Sequence, residues 1–239
     1  MGRLVRLLFA VTAAVSIGSD AVWGAALEFI PIRIELPAGQ AATILEIRNH
    51  GGAVAVQVRG FVWRQKGDTD ELSQTEEIIV SPPIFKIADG GSQTVRLLLR
   101  RRDSKAEHEY RLIIDELPPP ATERRQIVIA LQASLPVFAE PVGESAEQLA
   151  WRAERGPGGI LLAAHNTGHR YAMVRALSAS LPDGHKIAPS LVGNNPYVLP
   201  GAERHWLFTN TGALALGSVL HLTVTSEAGT QEETVRLPR

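Results

Sequence analysis

Residues 110–141 read YRLIIDELPPPATERRQIVIALQASLPVFAEP, and this stretch decides the fold. Apolar and polar residues alternate in both of its halves, and a period of two is typical of a β-strand. One face of the strand predicted in the second half carries six apolar residues, which are Ile127, Ile129, Leu131, Ala133, Leu135 and Val137. From the residues alone, this row indicates a long core strand.

The same period recurs along most of the chain. Further alternating rows comprise Ile30, Ile32, Ile34 and Leu36, then Val54, Val56 and Val58, and then Val95, Leu97 and Leu99. Short strands of this kind, separated by Gly, Pro, Asn and Asp, are typical of an antiparallel β-sandwich. No stretch shows a long helical period, so the sequence predicts an all-β fold.

A domain boundary is predicted in residues 139–146, which are small and polar and include Pro and Gly. It divides the mature chain into residues 25–141 and 142–239. Each part is close in length to one immunoglobulin-like sandwich.

A weak internal echo supports two related modules. Asn49 is followed by Gly51 and then by a strand, and Asn166 is followed by Gly168 and then by a strand. Asn and Gly are the residues that tight turns between strands favour. We therefore expect the same turn at equivalent places in the two domains.

Residues 1–24 have the layout of a secretory signal peptide. Arg3 and Arg6 form a short basic region, Leu7–Ile17 an apolar run, and Val22 and Gly24 are small residues at the minus-three and minus-one positions of a cleavage site. The apolar run, about eleven residues, is too short to span a bilayer. We expect cleavage after about Gly24, a periplasmic location and no membrane insertion of the mature chain. An N-terminal anchor or a buried first strand is the alternative.

Composition excludes several classes of protein. The formal net charge of -1 lacks the basic footprint of a nucleic-acid-binding protein. There are no cysteines, which excludes thiol catalysis, cysteine metal sites and disulfides. An exported chain of this kind must be stabilised by core packing.

Enzymatic motifs are weak, so we expect a non-enzymatic protein without catalytic residues, metal or cofactor. His165 and His169 have the spacing of metal ligands only on a helix, whereas here they flank a predicted turn. The adjacent Asp115 and Glu116 point to opposite faces of a strand and cannot act as a carboxylate pair. A hydrolase with an unrecognised site is therefore disfavoured.

A second function class is an exported immunoglobulin-like adhesion or carbohydrate-binding module. Such a module would present exposed aromatic side chains together on a face or loop. Here Trp63, Trp151 and Trp206 are scattered along the sequence. The pattern does not favour this class.

Four segments carry a resemblance to a known family, which are residues 32–36, residues 81–85 with 90–97, residues 110–119 with their Tyr-Arg-Leu and Glu-Leu-Pro, and residues 129–141. In these segments the chain resembles the periplasmic pilus chaperones of chaperone–usher systems, in particular a divergent or archaic branch. The resemblance implies two immunoglobulin-like domains set as an L with an interdomain cleft. It also implies pilus subunits and an outer-membrane usher as partners.

The resemblance gives the row in residues 127–133 a second interpretation. Pilus subunits in this family are incomplete sandwiches, and the chaperone lends them an edge strand. Ile127, Ile129, Leu131 and Ala133 are then the donor-strand residues instead of core residues. Whether the free chaperone self-associates through this edge is left open by the sequence.

The resemblance also implies charged sites. Arg33 matches a residue that anchors the subunit's C-terminal carboxylate, with an ordinary solvated Arg as the alternative. The second anchor, usually a Lys, is Pro136 here, which leaves that role to an unidentified basic residue. Arg96 and Glu116 match an interdomain salt bridge whose third, acidic member is missing from this sequence. A Glu116 exposed to water at a strand end is the alternative.

Overall fold

The computed structural model describes residues 26–100, 106–118, 130–143, 145–156, 158–181, 184–193, 195–209, 214–215 and 217–238. The predicted leader, residues 1–24, lies outside these ranges. Within them the chain forms strands and turns, and no helix has the length and hydropathy that a membrane span requires.

Ten strands form the first sandwich. They are β1 (Leu27–Ile30), β2 (Ile34–Leu36), β3 (Ala42–Asn49), β4 (Val54–Lys66), β5 (Thr69–Gln74), β6 (Ile78–Ser81), β7 (Ile84–Ile87), β8 (Ser92–Leu99), β9 (His108–Leu117) and β10 (Gln132–Ala139). The first sheet has the order β1-β3-β8-β6. The second has the order β2-β10-β9-β4-β5, with β7 also paired to β4. Only the pair of β2 and β10 is parallel among these strands.

The alternation read from the sequence decides which face of each strand is buried. On β8, Val95 and Leu97 lie in the core, whereas Arg96 and Leu98 between them face outward. The apolar faces of both sheets meet in one cluster, with Val56 at its centre as a fully buried side chain. This burial of aliphatic surface stabilises the first domain.

The predicted first strand is interrupted. Pro31, which lacks a backbone N–H, ends β1, and the chain pairs again only from Ile34, on the other sheet. Ile32 lies between the two strands and is 72% exposed. The expectation that Ile32 shares a buried face with Ile34 is therefore wrong.

Ten more strands form the second sandwich. They are β11 (Leu149–Gly156), β12 (Gly159–Asn166), β13 (Ala172–Met173), β14 (Ala176–Ser180), β15 (Lys186–Ile187), β16 (Ser190–Leu191), β17 (Tyr197–Val198), β18 (Glu203–Phe208), β19 (Val219–Ser226) and β20 (Gly229–Arg236). The main sheets have the orders β11-β12-β18-β16 and β15-β14-β19-β20. A small sheet pairs β13 with β17.

The internal echo corresponds to one repeated turn. Asn49 and Asn166 are both buried, and each side-chain oxygen accepts the N–H of the glycine two residues on, at 3.1 Å for Gly51 and 2.9 Å for Gly168. The side-chain amide of Asn166 also donates to the carbonyl of Arg170. The second turn thereby holds the segment that reaches the first domain.

The two sandwiches meet at an aromatic cluster. Trp63 and Phe138 from the first domain pack against Tyr171, Leu199 and Ala202 from the second. The rings of Phe138 and Tyr171 are stacked with centroids 3.7 Å apart. The all-β fold of two immunoglobulin-like sandwiches predicted from the sequence is confirmed.

Candidate functional site

Strand β10 has an open edge over half of its length. On one side all of β10 pairs with β9. On the other side β2 pairs only with Val137, Phe138 and Ala139. Among the described residues, nothing pairs with residues 132–136 on that side. Unpaired strand edges present free backbone groups to which another strand can add.

The backbone contacts show which groups face the open edge. The N–H of Glu116 donates to the carbonyl of Leu131 at 2.9 Å, so Leu131 faces β9. Because hydrogen-bonded and non-hydrogen-bonded pairs alternate in an antiparallel ladder, the backbone groups of Gln132 and Ser134 point to the other side. Pro136 follows in the same phase, where its missing N–H breaks no ladder bond.

The apolar row of β10 leaves the core gradually. Val137 is fully buried, Leu135 is buried, Ala133 is half-buried against the core cluster, and Leu131 is 42% exposed. Val137 and Leu135 are therefore core residues of this chain, and Leu131 is not. The other two predicted donor residues, Ile127 and Ile129, lie outside the described residues.

Arg33 lies between the two domains. Its Nε is 3.0 Å from Oε1 of Glu35, and its guanidinium also pairs with Glu227, which comes from the β19–β20 turn of the second domain. The hydroxyl of Tyr171 is 2.8 Å from both carboxylates and donates to one of them at a time. The predicted anchor is thus in the cleft, where it already binds a carboxylate of its own chain.

These contacts shift the protonation equilibria. Burial lowers the pKa of Arg33, but hydrogen bonds to Glu227 and Tyr197 raise it, and the net shift is upward. Burial raises the pKa of Glu227, but hydrogen bonds from Arg33, Tyr171 and Arg175 lower it by more, so the net shift is downward. Both groups remain charged at neutral pH, so the Arg33–Glu227 ion pair persists there.

The predicted ion pair of Arg96 and Glu116 is not formed. Arg96 lies on β8 in the first sheet and faces solvent, whereas Glu116 lies on β9 in the second sheet. Glu116 Oε2 instead accepts the N–H of Leu131 at 3.1 Å. The two residues belong to different faces of the sandwich, so they do not fix the domain angle.

Other charged pairs join the domains. The Arg204 side chain is 1% exposed and pairs with Asp70, which also accepts from the amide of Asn195 at 2.6 Å. In the neighbouring turn, Asp68 is 2.8 Å from Nδ1 of His205. These contacts could not be predicted from the sequence, because each joins residues more than a hundred positions apart and no local pattern marks them.

Two buried carboxyls complete the interface. Glu107 accepts the backbone N–H of Tyr171 at 2.8 Å, and its Oε2 is buried without a hydrogen-bond partner among the described residues. Burial raises the pKa of Glu107 to about 7 and that of Glu109 to about 8, where the charge of Glu107 adds to the effect. Both carboxyls are therefore partly protonated near neutral pH.

The described residues contain no group of His, Asp and Glu side chains arranged to hold a metal ion. His165 and His169, the pair singled out by spacing, flank a turn at the end of β12. The features that the structure brings together are therefore an open strand edge, an emerging apolar row and a charged interdomain cleft.

The comparisons with known proteins agree with this geometry. Residues 26–144 match the family described as pili and flagellar-assembly chaperone, PapD N-terminal domain. No curated protein sequence matches the chain.

Several solved structures share the fold. One is a chain of the CsuC–CsuE chaperone–tip adhesion subunit pre-assembly complex from the archaic chaperone-usher Csu pili of Acinetobacter baumannii. It is 24% identical, with a TM-score of 0.64 over 89% of this chain and 98% of that chain. The E. coli chaperone DraB is 14% identical, with a TM-score of 0.60 over 89% and 95% of the two chains. The Pseudomonas aeruginosa CupB2 chaperone is 15% identical, with a TM-score of 0.55 over 87% and 98%.

The family match spans every strand of the first sandwich, including β2 and β10 at the open edge. The shared fold of the solved structures extends across the second sandwich as well. Through residues 26–144 the chain belongs to the family of PapD-like pilus-assembly chaperones.

Proposed function

We propose that the protein is a periplasmic chaperone that binds pilus subunits by donor-strand complementation and delivers them to an outer-membrane usher. The observation that carries this proposal is the unpaired edge of β10 at residues 132–136, beside an apolar row that emerges from the core at Leu131. The export step and the usher rest on the leader, residues 1–24, and on the family resemblance.

The proposed client has a structural gap that a strand can fill. A pilus subunit that lacks its last strand has an open core groove, and an added strand can close it. Main-chain hydrogen bonds along the edge supply affinity, and alternate side chains fill the groove. In this chain the edge groups belong to Gln132 and Ser134, and the proposed groove residues are Ile127, Ile129, Leu131 and Ala133.

The open edge of β10 is unusual for a stable protein. A long apolar edge strand promotes aggregation, and proteins usually cover or charge such edges. Here the edge is left open next to Leu131, which is itself exposed. A client strand that covers both in the complex accounts for the arrangement.

Arg33 is the residue proposed to bind the client's terminal carboxylate. It already binds the carboxylate of Glu227, so the local geometry suits a carboxylate ligand. The client's terminal carboxylate would replace Glu227 and keep Arg33 paired. A hydrogen bond to a charged group contributes roughly 1.5–3 kcal/mol.

The alternative of an adhesion or carbohydrate-binding module gains nothing from the structure. Trp63 is fully buried at the domain interface. Trp151 and Trp206 pack against each other, with ring centroids 5.4 Å apart, beside the second core. These side chains do not form an exposed platform for a sugar.

The proposal is tested by co-expressing the chain with a candidate pilus subunit and purifying the chaperone. We expect the subunit to co-purify with the wild-type protein and to be lost with Arg33→Ala or Ile129→Asp. Recovery of the subunit at wild-type levels with both folded variants would contradict the mechanism.

A further inference from the structure

The turn between β4 and β5 docks on the second domain. Its two residues are Gly67 and Asp68, and the side chain of Asp68 reaches β18. One carboxylate oxygen of Asp68 accepts the backbone N–H of His205 at 2.9 Å, and the other lies 2.8 Å from Nδ1 of the same residue. Gly193 lies against this turn, since a Cβ there would come within 3.1 Å of the Asp68 carbonyl oxygen. His205 therefore contacts the first domain through both its backbone and its ring.

The ring of His205 lies between two carboxylates. Nδ1 faces Asp68 of the first domain, and Nε2 is 3.2 Å from Oε1 of Glu203 on its own strand. The side chains of His205 and Asp68 are 17% and 27% exposed, so water screens their contact only in part. A neutral imidazole has one N–H, whereas the imidazolium has two. Since ionised carboxylates only accept hydrogen bonds, the ring can donate to both neighbours only in its protonated form.

The other charged groups near this ring keep Glu203 ionised. Arg152 on β11 donates to both oxygens of Glu203, and the distance at Oε1 is 2.9 Å. These hydrogen bonds hold the pKa of Glu203 below its usual range. His165 on β12 is opposite Glu203, and its charge lowers the same pKa when its ring is protonated. Glu203 therefore remains an acceptor through the neutral range.

We infer that Asp68 and His205 form a proton-dependent latch between the two domains, which is closed when the imidazole carries both N–H groups. A neutral ring leaves a lone pair against one of the two carboxylates, and in either tautomer the charge that attracts Asp68 is gone. Histidine is the side chain that ordinarily changes its charge between about pH 5 and pH 8. The latch should therefore hold the β4–β5 turn more firmly at mildly acid pH than at mildly alkaline pH.

Two neighbouring contacts show what an open latch changes. The pair of Asp70 and Arg204 joins the same hairpin to β18 without an imidazole, so the hairpin loosens but is not released. Three residues before the latch, Gln65 accepts the backbone N–H of Leu199 at 2.9 Å and donates to the carbonyl of Tyr197 at 3.0 Å. Leu199 belongs to the aromatic cluster between the domains. Loosening the turn therefore reaches the interface that sets the angle of the cleft, and it requires no client.

Amide hydrogen exchange at Leu199 tests the latch, because this N–H donates to the first domain and is protected while the domains are docked. Protection factors are measured by NMR at about pH 5.5 and about pH 8 for the wild type, His205→Gln, Asp68→Asn and the double variant. Dividing by the intrinsic exchange rate removes the direct effect of pH. The matched control is His221→Gln, which changes an exposed His on β19. The amide of Leu222, in the central strand β19, verifies that each variant is folded.

We expect His205→Gln to lower the protection of Leu199 roughly tenfold at about pH 5.5 and less than about threefold at about pH 8. In the Asp68→Asn background the same substitution should cost less than about threefold at both pH values, and His221→Gln should match the wild type. Equal losses at both pH values would overturn the inference, because packing of the ring would then account for the contact. Unchanged protection in His205→Gln at the lower pH would overturn it as well.

Discussion

Arg33 and Glu227 come from different domains and form an ion pair in the cleft between them. Tyr171 and Arg175 hold the same Glu227 carboxylate, at 2.8 Å and 2.7 Å. The chain therefore places its own carboxylate where we propose that the client's terminal carboxylate binds. Under this proposal, the client's carboxylate would compete with Glu227 for Arg33.

Changing Glu227→Gln should strengthen client binding. The neutral amide competes less well for Arg33 than a carboxylate does, because the charge-assisted hydrogen bond is lost. We expect about a tenfold gain in affinity for a free-acid peptide of the client's last strand, measured by calorimetry. Glu232→Gln, a charge removal on the neighbouring strand β20, is the control. A loss of affinity in Glu227→Gln alone would show that Glu227 supports the site instead of competing for it.

A charge at Leu131, where the apolar row of β10 leaves the core, should abolish client binding and leave folding intact. Leu131 and Leu98 are each 42% exposed, but only Leu131 is in the proposed donor row. Leu131→Asp should fold and lose subunit co-purification, because a charge in an apolar groove is unfavourable. Leu98→Asp should fold and keep it. Val137→Asp places a charge at a buried position and should unfold. If Leu131→Asp unfolds as well, a core role for the whole row is favoured.

The buried pair of Asp70 and Arg204 should stabilise the domain arrangement. Asp70→Asn leaves the Arg204 charge buried without its partner, and such a loss destabilises a protein by roughly 3–5 kcal/mol. Denaturant unfolding would measure the change. The control is Glu154→Gln, which breaks an exposed pair with Arg152 and should change stability by less than about 1 kcal/mol. Equal effects of the two substitutions would contradict the role of Asp70.

Stability should fall as pH rises through the neutral range. The pKa values of Glu107 and Glu109 are raised from an ordinary 4.5 to about 7 and about 8. The folded state therefore binds more protons than the unfolded state in this window, so their contribution is full below pH 4.5 and is lost by about pH 8. Carboxyls with lowered pKa values, such as Glu227, titrate below the window.

The double variant Glu107→Gln and Glu109→Gln removes both titrating groups and keeps their shape. Its thermal midpoint should change less between pH 4.5 and 8 than that of the wild type. At the upper end of that range the variant should be the more stable protein. A wild-type midpoint that rises with pH across this window would contradict the assignment.

The sequence predicted the parts of this structure that depend on local periodicity. Alternation of apolar residues identified β4, β8 and β9 because one face of each strand is buried on a core. The Asn49 and Asn166 turns were predictable since each is made within a few residues. The prediction that Ile32 shares a strand face with Ile34 was wrong, because the period of two does not show that Pro31 ends β1 and that β2 joins the other sheet.

The charged sites could not be predicted from local pattern. Arg96 matched a family position, but its strand face points to solvent, and strand register decides that. Glu227 lies in a turn of the other domain, nearly two hundred residues from Arg33. Such relationships are set by tertiary packing.

The most direct test of strand donation is amide hydrogen exchange at β10, measured residue by residue by NMR for the free chaperone and for its complex with a pilus subunit. The free protein is studied at a concentration where it is monomeric. The backbone phase assigns Ala133 and Leu135 to the β9 ladder and Gln132 and Ser134 to the open edge.

We predict that Ala133 and Leu135 are protected in both states, and that Gln132 and Ser134 exchange rapidly in the free chaperone and become protected in the complex. Main-chain hydrogen bonds to an added client strand are the reason for the change. A stable complex in which Gln132 and Ser134 exchange as fast as in the free chaperone would contradict strand donation by β10.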